Sequence, residues 1–234
     1  MIKISSIKNG SGGNSYVVQN EETQFLLECG IPYKKIVLEA YRITGKKLSN
    51  FTGCLITHKH GDHSKSAKEI EKRMKIYTNK STIEKNHLRN YYEIKELTPF
   101  SIGTIKLLPI SVKHGETPNF AYILKDKDSL KFFGTDFNLC EYNLSKYAFE
   151  EIWIECNYVN ERISLEEKDE YKFERQINTH MSINGLVEHL KKMNLTNCKK
   201  INLIHLSKFY SDKQIIRKKL SEFNIEVAFA KGGY

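Results

Sequence analysis

The sequence predicts an α/β fold in one domain spanning residues 1–234. Three observations predict it. Apolar residues recur with the period of a strand in some stretches and of a helix in others. A chain of 234 residues, 40% of them hydrophobic, can enclose one sizeable core. No linker, low-complexity tract or internal repeat divides it. Strands lead, and later strands mix with helices in two halves. That order suits a pair of packed sheets covered by helices on both outer faces.

Residues 1–7 alternate as a strand does. Asn9, Gly10, Ser11, Gly12, Gly13, Asn14 and Ser15 then form a glycine-rich turn leading into strands at 16–18 and 24–28. Such a turn can aim amides at an anion, but no helix opens there, so it is not a nucleotide fingerprint. A strand-to-strand turn is the plainer reading. Over 33–44 the apolar residues Ile36, Val37, Ala40, Tyr41 and Ile43 keep helical spacing, and Gly45 is a natural stop. Residues 53–56 form a short buried strand. Ser64 can cap a helix running to about Met74, with its positive end toward the preceding loop. A strand at 75–77 and a helix at 81–88 follow, then strands at 93–97, 104–112, 120–125, 130–133 and 152–154, with helix and strand returning from about Ser164.

Composition narrows the function classes. No apolar run of about 18 residues exists, so no membrane span is expected. The first residues lack the apolar block of a signal peptide, and a cytoplasmic location is expected. The five cysteines, Cys29, Cys54, Cys140, Cys156 and Cys198, are scattered and never spaced as CxxC, which argues for reduced, mostly buried thiols. The formal charge is +9, with basic clusters at Lys34-Lys35, Lys46-Lys47, Lys72-Arg73, Lys191-Lys192, Lys199-Lys200 and Arg217-Lys218-Lys219. These clusters would attract a polyanion, or they are solvated helix faces.

The densest chemistry is Thr57-His58-Lys59-His60-Gly61-Asp62-His63, directly after the strand at 53–56. His58 and His60 can reach one ion together, while Asp62 and His63 point at a neighbouring one. Imidazole and carboxylate suit zinc, manganese or iron, so the residue types do not choose the metal. A polar loop that happens to be rich in histidine is the plain alternative.

The spacing resembles the HxHxDH signature of the metallo-β-lactamase superfamily, and the later residues follow that family's order. His114, Asp136 and His205 each come after a strand-like apolar run. The resemblance implies a four-layer αβ/βα sandwich, with His58, His60 and His114 on one ion, Asp62, His63 and His205 on a second, and Asp136 between them. Two divalent ions, Zn2+ or Mn2+, are therefore expected. Taken singly, each later histidine could be structural. Within the superfamily, the turn Gly10-Ser11-Gly12-Gly13-Asn14-Ser15 and the segment Glu28-Cys29-Gly30 are similar to the YycJ/WalJ-like branch.

The loop His114-Gly115-Glu116-Thr117-Pro118 resembles that of the phosphodiesterase branch that includes tRNase Z, and lacks the Gly-His-Thr-x-Gly turn of glyoxalase II. Phe137 and Asn138 stand where Thr-Gly often follows the bridging Asp. By the same resemblance, Glu155 would orient His180 and His180 would protonate a leaving oxygen. The residue-level alternatives are a Glu155 that ends a strand in solvent and a His180 that merely precedes a helix capped by Ser182. His87 and His189 read as helix-surface residues.

The expected activity is a binuclear metal-dependent phosphodiesterase, foremost a nuclease acting on DNA or RNA. A cyclic-nucleotide phosphodiesterase needs the same metals with a closed pocket, such as a homodimer could complete. A hydrolase of an ester, lactone or lactam is the other class in view. No segment matches a β-CASP insertion or the flexible arm with which tRNase Z grips tRNA.

Overall fold

A computed structural model describes residues 1–166 and 169–232. Neighbouring side chains show how its layers divide, because successive residues of a strand point to opposite faces. Val18 and Leu27 pack into a core between two sheets, and their neighbours Val17 and Leu26 pack outward against helices. In the second sheet Phe133 and Trp153 point inward, while Phe132, Ile152 and Ile154 point outward. The molecule is thus a four-layer αβ/βα sandwich, as the family resemblance implies.

The first sheet has the order β1 (Lys3–Lys8), β2 (Ser15–Gln19), β3 (Gln24–Cys29), β4 (Cys54–Leu55), β5 (Ile76–Thr78) and β6 (Tyr91–Glu93). β1 to β3 are antiparallel, and β3 to β6 are parallel. Helices α1 (Tyr33–Thr44), α2 (Gly61–Ser64), α3 (Ala67–Ile70) and α4 (Lys80–Asn86) connect its parallel strands. Ile36 and Ala40 of α1 and Ala67 and Ile70 of α3 bury against its outer face. Each fully buried Ile or Leu of this kind contributes about 1.5–3 kcal/mol.

The second sheet runs β7 (Phe100–Ile102), β8 (Ile105–Val112), β9 (Asn119–Lys125), β10 (Leu130–Gly134), β11 (Glu151–Glu155), β12 (Lys200–Ile204) and β13 (Glu226–Phe229). It is antiparallel through β10 and parallel from β10 to β13. Among the later helices α5 (Asn160–Glu166), α6 (Glu170–Thr179), α7 (Ile183–Lys191) and α8 (Lys213–Leu220), the apolar stripe Ile183, Leu186, Val187 and Leu190 of α7 covers this sheet. Strand directions place the carboxyl ends of β3, β4, β8, β10, β11 and β12 at one end of the sandwich, where ligands of open α/β sheets commonly bind.

The elements mostly fall where the pattern puts them. Helix α1 ends at Gly45, whose φ of 69° is the left-handed cap that glycine adopts freely. Four readings need correction. Ser64 caps nothing: the helical turn opens at Gly61, and the Ser64 hydroxyl donates to the carbonyls of Lys59 and His60. The expected helix to Met74 is broken into α2 and α3, because Ser66 is drawn aside, its N–H donating to the Cys29 carbonyl and its hydroxyl to that of Ile31. The strand expected at 93–97 lies upstream, as β6, and β7 was not anticipated. His189 is not a surface residue. It packs against the rings of Phe132 and Phe137, at 6.4 and 6.0 Å, and burial pushes its imidazole down to about 4. All five cysteines are buried, and no helix among the described residues is long and apolar enough to cross a membrane.

Candidate metal centre and active-site cleft

The loop after β4 can carry its four donors only because the chain beside it is stripped of bulk. A Cβ on Gly30 would stand 1.6 Å from the Asp62 carbonyl oxygen, so only glycine lets the loop lie against the end of β3. From the other side Asn14 pins it: its backbone N–H donates to the Asp62 carbonyl at 2.7 Å, and its side-chain amide lies 3.0 Å from His63 Nε2. The glycine-rich turn between β1 and β2 is therefore the floor of the loop.

Two sets of donor atoms converge there, and Asp136 belongs to both. In the first, His60 Nδ1 lies 3.0 Å from His58 Nε2 and 3.1 Å from His114 Nε2, and Asp136 Oδ2 is 3.9 Å from the His58 and His114 nitrogens. His114 Nδ1 donates to the Thr179 carbonyl at 2.8 Å, which leaves the Nε2 lone pair aimed at the cluster. In the second, His63 Nε2 is 3.4 Å from Asp62 Oδ2 and 3.3 Å from Asp136 Oδ1; His205 Nε2 is 3.6 and 3.3 Å from the same two oxygens.

These separations suit a cation. Ligand atoms about 2.0–2.2 Å from a tetrahedral ion stand about 3.3–3.6 Å apart, and the second set spans 3.3 to 3.6 Å. The buried His205 Nε2 has no hydrogen-bond partner among the described residues. A buried nitrogen left without a partner between two carboxylates is costly unless a positive charge joins them. The donor sets fit divalent metal ions.

Charge separates the two sets. Burial, reinforced by neighbouring imidazoles, holds His58 well below the ordinary histidine range and lowers His114, and it brings His60 to about 4. For His205, burial acts downward too, but the carboxylates of Asp136, Asp62 and Glu155 overturn it and lift the imidazole to about 10. His63 is raised in the same way by Asp136, Asp62 and Glu28. Burial tends to raise Asp62, yet His63 and His205 hold it well below the usual carboxylate range.

Glu155 is a hub rather than a solvated strand end. It is fully buried, and Oε2 accepts from the Phe137 N–H at 2.8 Å, fixing the backbone beside Asp136. Oε1 lies 2.6 Å from His180 Nδ1 and 3.2 Å from His205 Nδ1, and the two imidazoles stack at 5.2 Å. His180 ends α6 and faces the same cleft as Asp62, His114, Asp136 and His205. Every candidate site residue thus meets at one end of the sandwich. His180, Glu155, Asp136 and His205 also form a compact group, so proximity alone does not separate a proton donor from a ligand.

Several supporting residues carry no site role in the sequence reading. Glu28, fully buried at φ 65°, lies 3.5 Å from His63 Nδ1 and accepts from the Thr57 N–H at 3.2 Å. Asp136 and His205 also hold positive φ, of 52° and 55°. Side-chain amides brace both: Asn119 donates to the Thr135 and Asp136 carbonyls, Asn157 to that of His205. Such backbone is uncommon outside glycine and gathers at functional sites. Asn14 and Glu28 fall in segments that the family resemblance marks.

The cleft has a volume of about 680 Å³ and is walled on one side by Tyr171 and Arg175 of α6. A second lobe of about 510 Å³ shares His60 and Gly61 with it and is flanked by Lys59 and Lys85. None of the basic clusters seen in the sequence lines either lobe. Their charge is spread elsewhere on the molecule.

Fold and donor sets together define a metal-dependent hydrolase of the sandwich type. The metallo-beta-lactamase superfamily model matches residues 9–134, more than half of the chain, and the chain belongs to that superfamily. Over 141 residues it is 26% identical to the exodeoxyribonuclease WalJ of Streptococcus pneumoniae, covering 54% of this chain and 51% of that protein. The chain spans about half the length of the curated relatives it matches. In structure it is similar to the metallo-beta-lactamase fold protein YhfI from Bacillus subtilis, with a TM-score of 0.77, 17% identity and coverage of 100% and 98% of the two chains. It is also similar to a diphosphatase of the PhnP family, with a TM-score of 0.72, 14% identity and coverage of 100% and 96%.

Proposed function

We propose that the protein is a binuclear metal-dependent phosphodiesterase, and that its substrate is a nucleic acid strand, foremost DNA. The observation that carries this reading is the pairing of the two donor sets with His180, which lines the same open cleft, and with Glu155 buried behind it. His58, His60 and His114 would hold one ion and Asp62, His63 and His205 the other, with Asp136 shared. Divalent ions held there would polarise a phosphoryl oxygen and supply an acidified water at neutral pH.

The chain's own residues supply the rest. Asp62, kept ionised by its histidine neighbours, is placed to orient a water and accept its proton. Glu155 holds His180 through Nδ1, so Nε2 is the nitrogen left to hand a proton to the departing sugar oxygen. Glu155 also fixes His205, which keeps proton donor and donor set in register.

Two features support a strand over a small cyclic nucleotide. The cleft is open and shares His60 and Gly61 with a neighbouring cavity flanked by Lys59 and Lys85, whereas small ligands are usually enclosed. The curated relative matched over half the chain is an exodeoxyribonuclease. The test is to incubate zinc- and manganese-loaded protein with labelled linear DNA, RNA and a panel of cyclic nucleotides, with Asp62→Ala as the blank. Cleavage of linear strands that weakens steeply with salt is expected. Turnover of cyclic mononucleotides alone would replace this reading with the small-substrate one, and an inert, metal-free protein would overturn both.

A further inference from the structure

Helix α6 buries none of its residues, whereas α7 beside it buries four. A helix of ten residues is marginal without packing, and what fixes this one is the site itself. Its Thr179 carbonyl accepts from His114, its Ile177 carbonyl accepts from Asn138 at 3.3 Å, and its Gln176 amide donates to Asn157, the residue that braces His205. All three ties lie in its last turn. The preceding turns project Tyr171 and Arg175, spaced i and i+4 and so on one face, along the wall of the cleft. Tyr171 is 75% exposed, and Arg175 makes no ion pair with any described residue.

A lone exposed tyrosine needs no explanation. One that shares a helix face with a guanidinium that forms no ion pair among the described residues, above the cleft that holds His114, Asp136 and His205, has a specific chemical complement. We propose that Tyr171 and Arg175 grip one nucleotide beside the scissile phosphate, the phenol ring stacking on an unpaired base and the guanidinium holding the adjoining phosphate. Aromatic stacking accepts any base, and the planar guanidinium matches a phosphodiester. The base must be unpaired, because within a duplex its faces are already stacked. This rests on the phosphodiesterase reading above and narrows its substrate class to a strand with a single-stranded segment at the cleft.

The test measures binding apart from turnover, by fluorescence anisotropy of a phosphorothioate-linked single-stranded oligonucleotide with the metal-loaded protein. Tyr171→Ala should bind about tenfold more weakly, while Tyr171→Phe stays within about twofold of the unsubstituted protein because the ring remains. Replacing the contacted base by an abasic unit should weaken the unsubstituted protein similarly and leave Tyr171→Ala no weaker than before. Arg175→Ala should lower the slope of log affinity against log salt by about one, and Arg175→Lys should keep it. If the unsubstituted protein cleaves DNA while all variants bind as it does, the grip is wrong and the phosphodiesterase reading stands. If it neither binds nor cleaves any oligonucleotide, the reading falls and the grip with it.

Discussion

The two donor sets share Asp136 and differ in what stands behind them. His58, His60 and His114 crowd one another and are kept neutral by burial, so their lone pairs are ready for a cation. His63 and His205 sit among Asp62, Asp136, Glu28 and Glu155, whose charges outweigh burial and raise both imidazoles above the ordinary histidine range. One set is a receptive pocket of neutral nitrogens. In the other, the gathered carboxylates favour a positive charge, so a proton competes with a cation for it. The same pair of residue types thus makes two different sites, according to how many carboxylates the fold gathers around them.

The largest effect should come from removing what the sets share. Asp136→Ala is expected to leave less than one ion per chain, by elemental analysis of dialysed protein, and to reduce turnover to background. If one ion stayed fully bound, the sets would be independent and the shared carboxylate a misreading. Next, His180→Ala should slow turnover by about 10²–10⁴-fold, as expected for loss of a general acid, with both ions retained. Loss of an ion in that variant would make His180 a ligand and move it into the second set.

Glu155→Gln sharpens the contrast further, since Glu155 hydrogen-bonds His205, His180 and the Phe137 N–H beside Asp136, and among the described residues none of His58, His60 and His114. It should weaken the second ion by about 10–100-fold, the usual cost of losing a carboxylate behind a ligating histidine, and barely change the first. Selective weakening of the first ion would invert the comparison. The smallest effect is on protons. Because His63 and His205 are raised, their protons are still bound at neutral pH and must leave when an ion enters. Affinity for the second ion should therefore fall as pH is lowered from neutral, while the first is less sensitive there because burial lowers His58, His60 and His114. Calorimetry in buffers of different ionisation enthalpy measures the release directly, and equal release from both sites would contradict the charge difference.

How readable each part was in the sequence follows the distance along the chain over which it is encoded. His58, His60, Asp62 and His63 sit on one loop, so their spacing was visible at once. His114, Asp136 and His205 come singly from three strands of the other sheet, and only their order, matched to a family pattern, tied them to the loop. Ser64 shows the reverse failure. A serine before a helical pattern reads as a cap, but the backbone contacts of Ser66 with Cys29 and Ile31 break that helix and move its start to Gly61.

The sequence by itself determined most of the alternation of strands and helices, and with it which residues of those strands share a face, because both follow from periodicity along the chain. It also determined which donors could exist. Only the tertiary structure decided their charge and their bracing. Whether His205 holds a proton depends on Asp62, Asp136 and Glu155, and the strained backbone at Asp136 is held by Asn119 and Glu155. Electrostatic and hydrogen-bond energies depend on distances in space, and none of these partners is its neighbour in the chain.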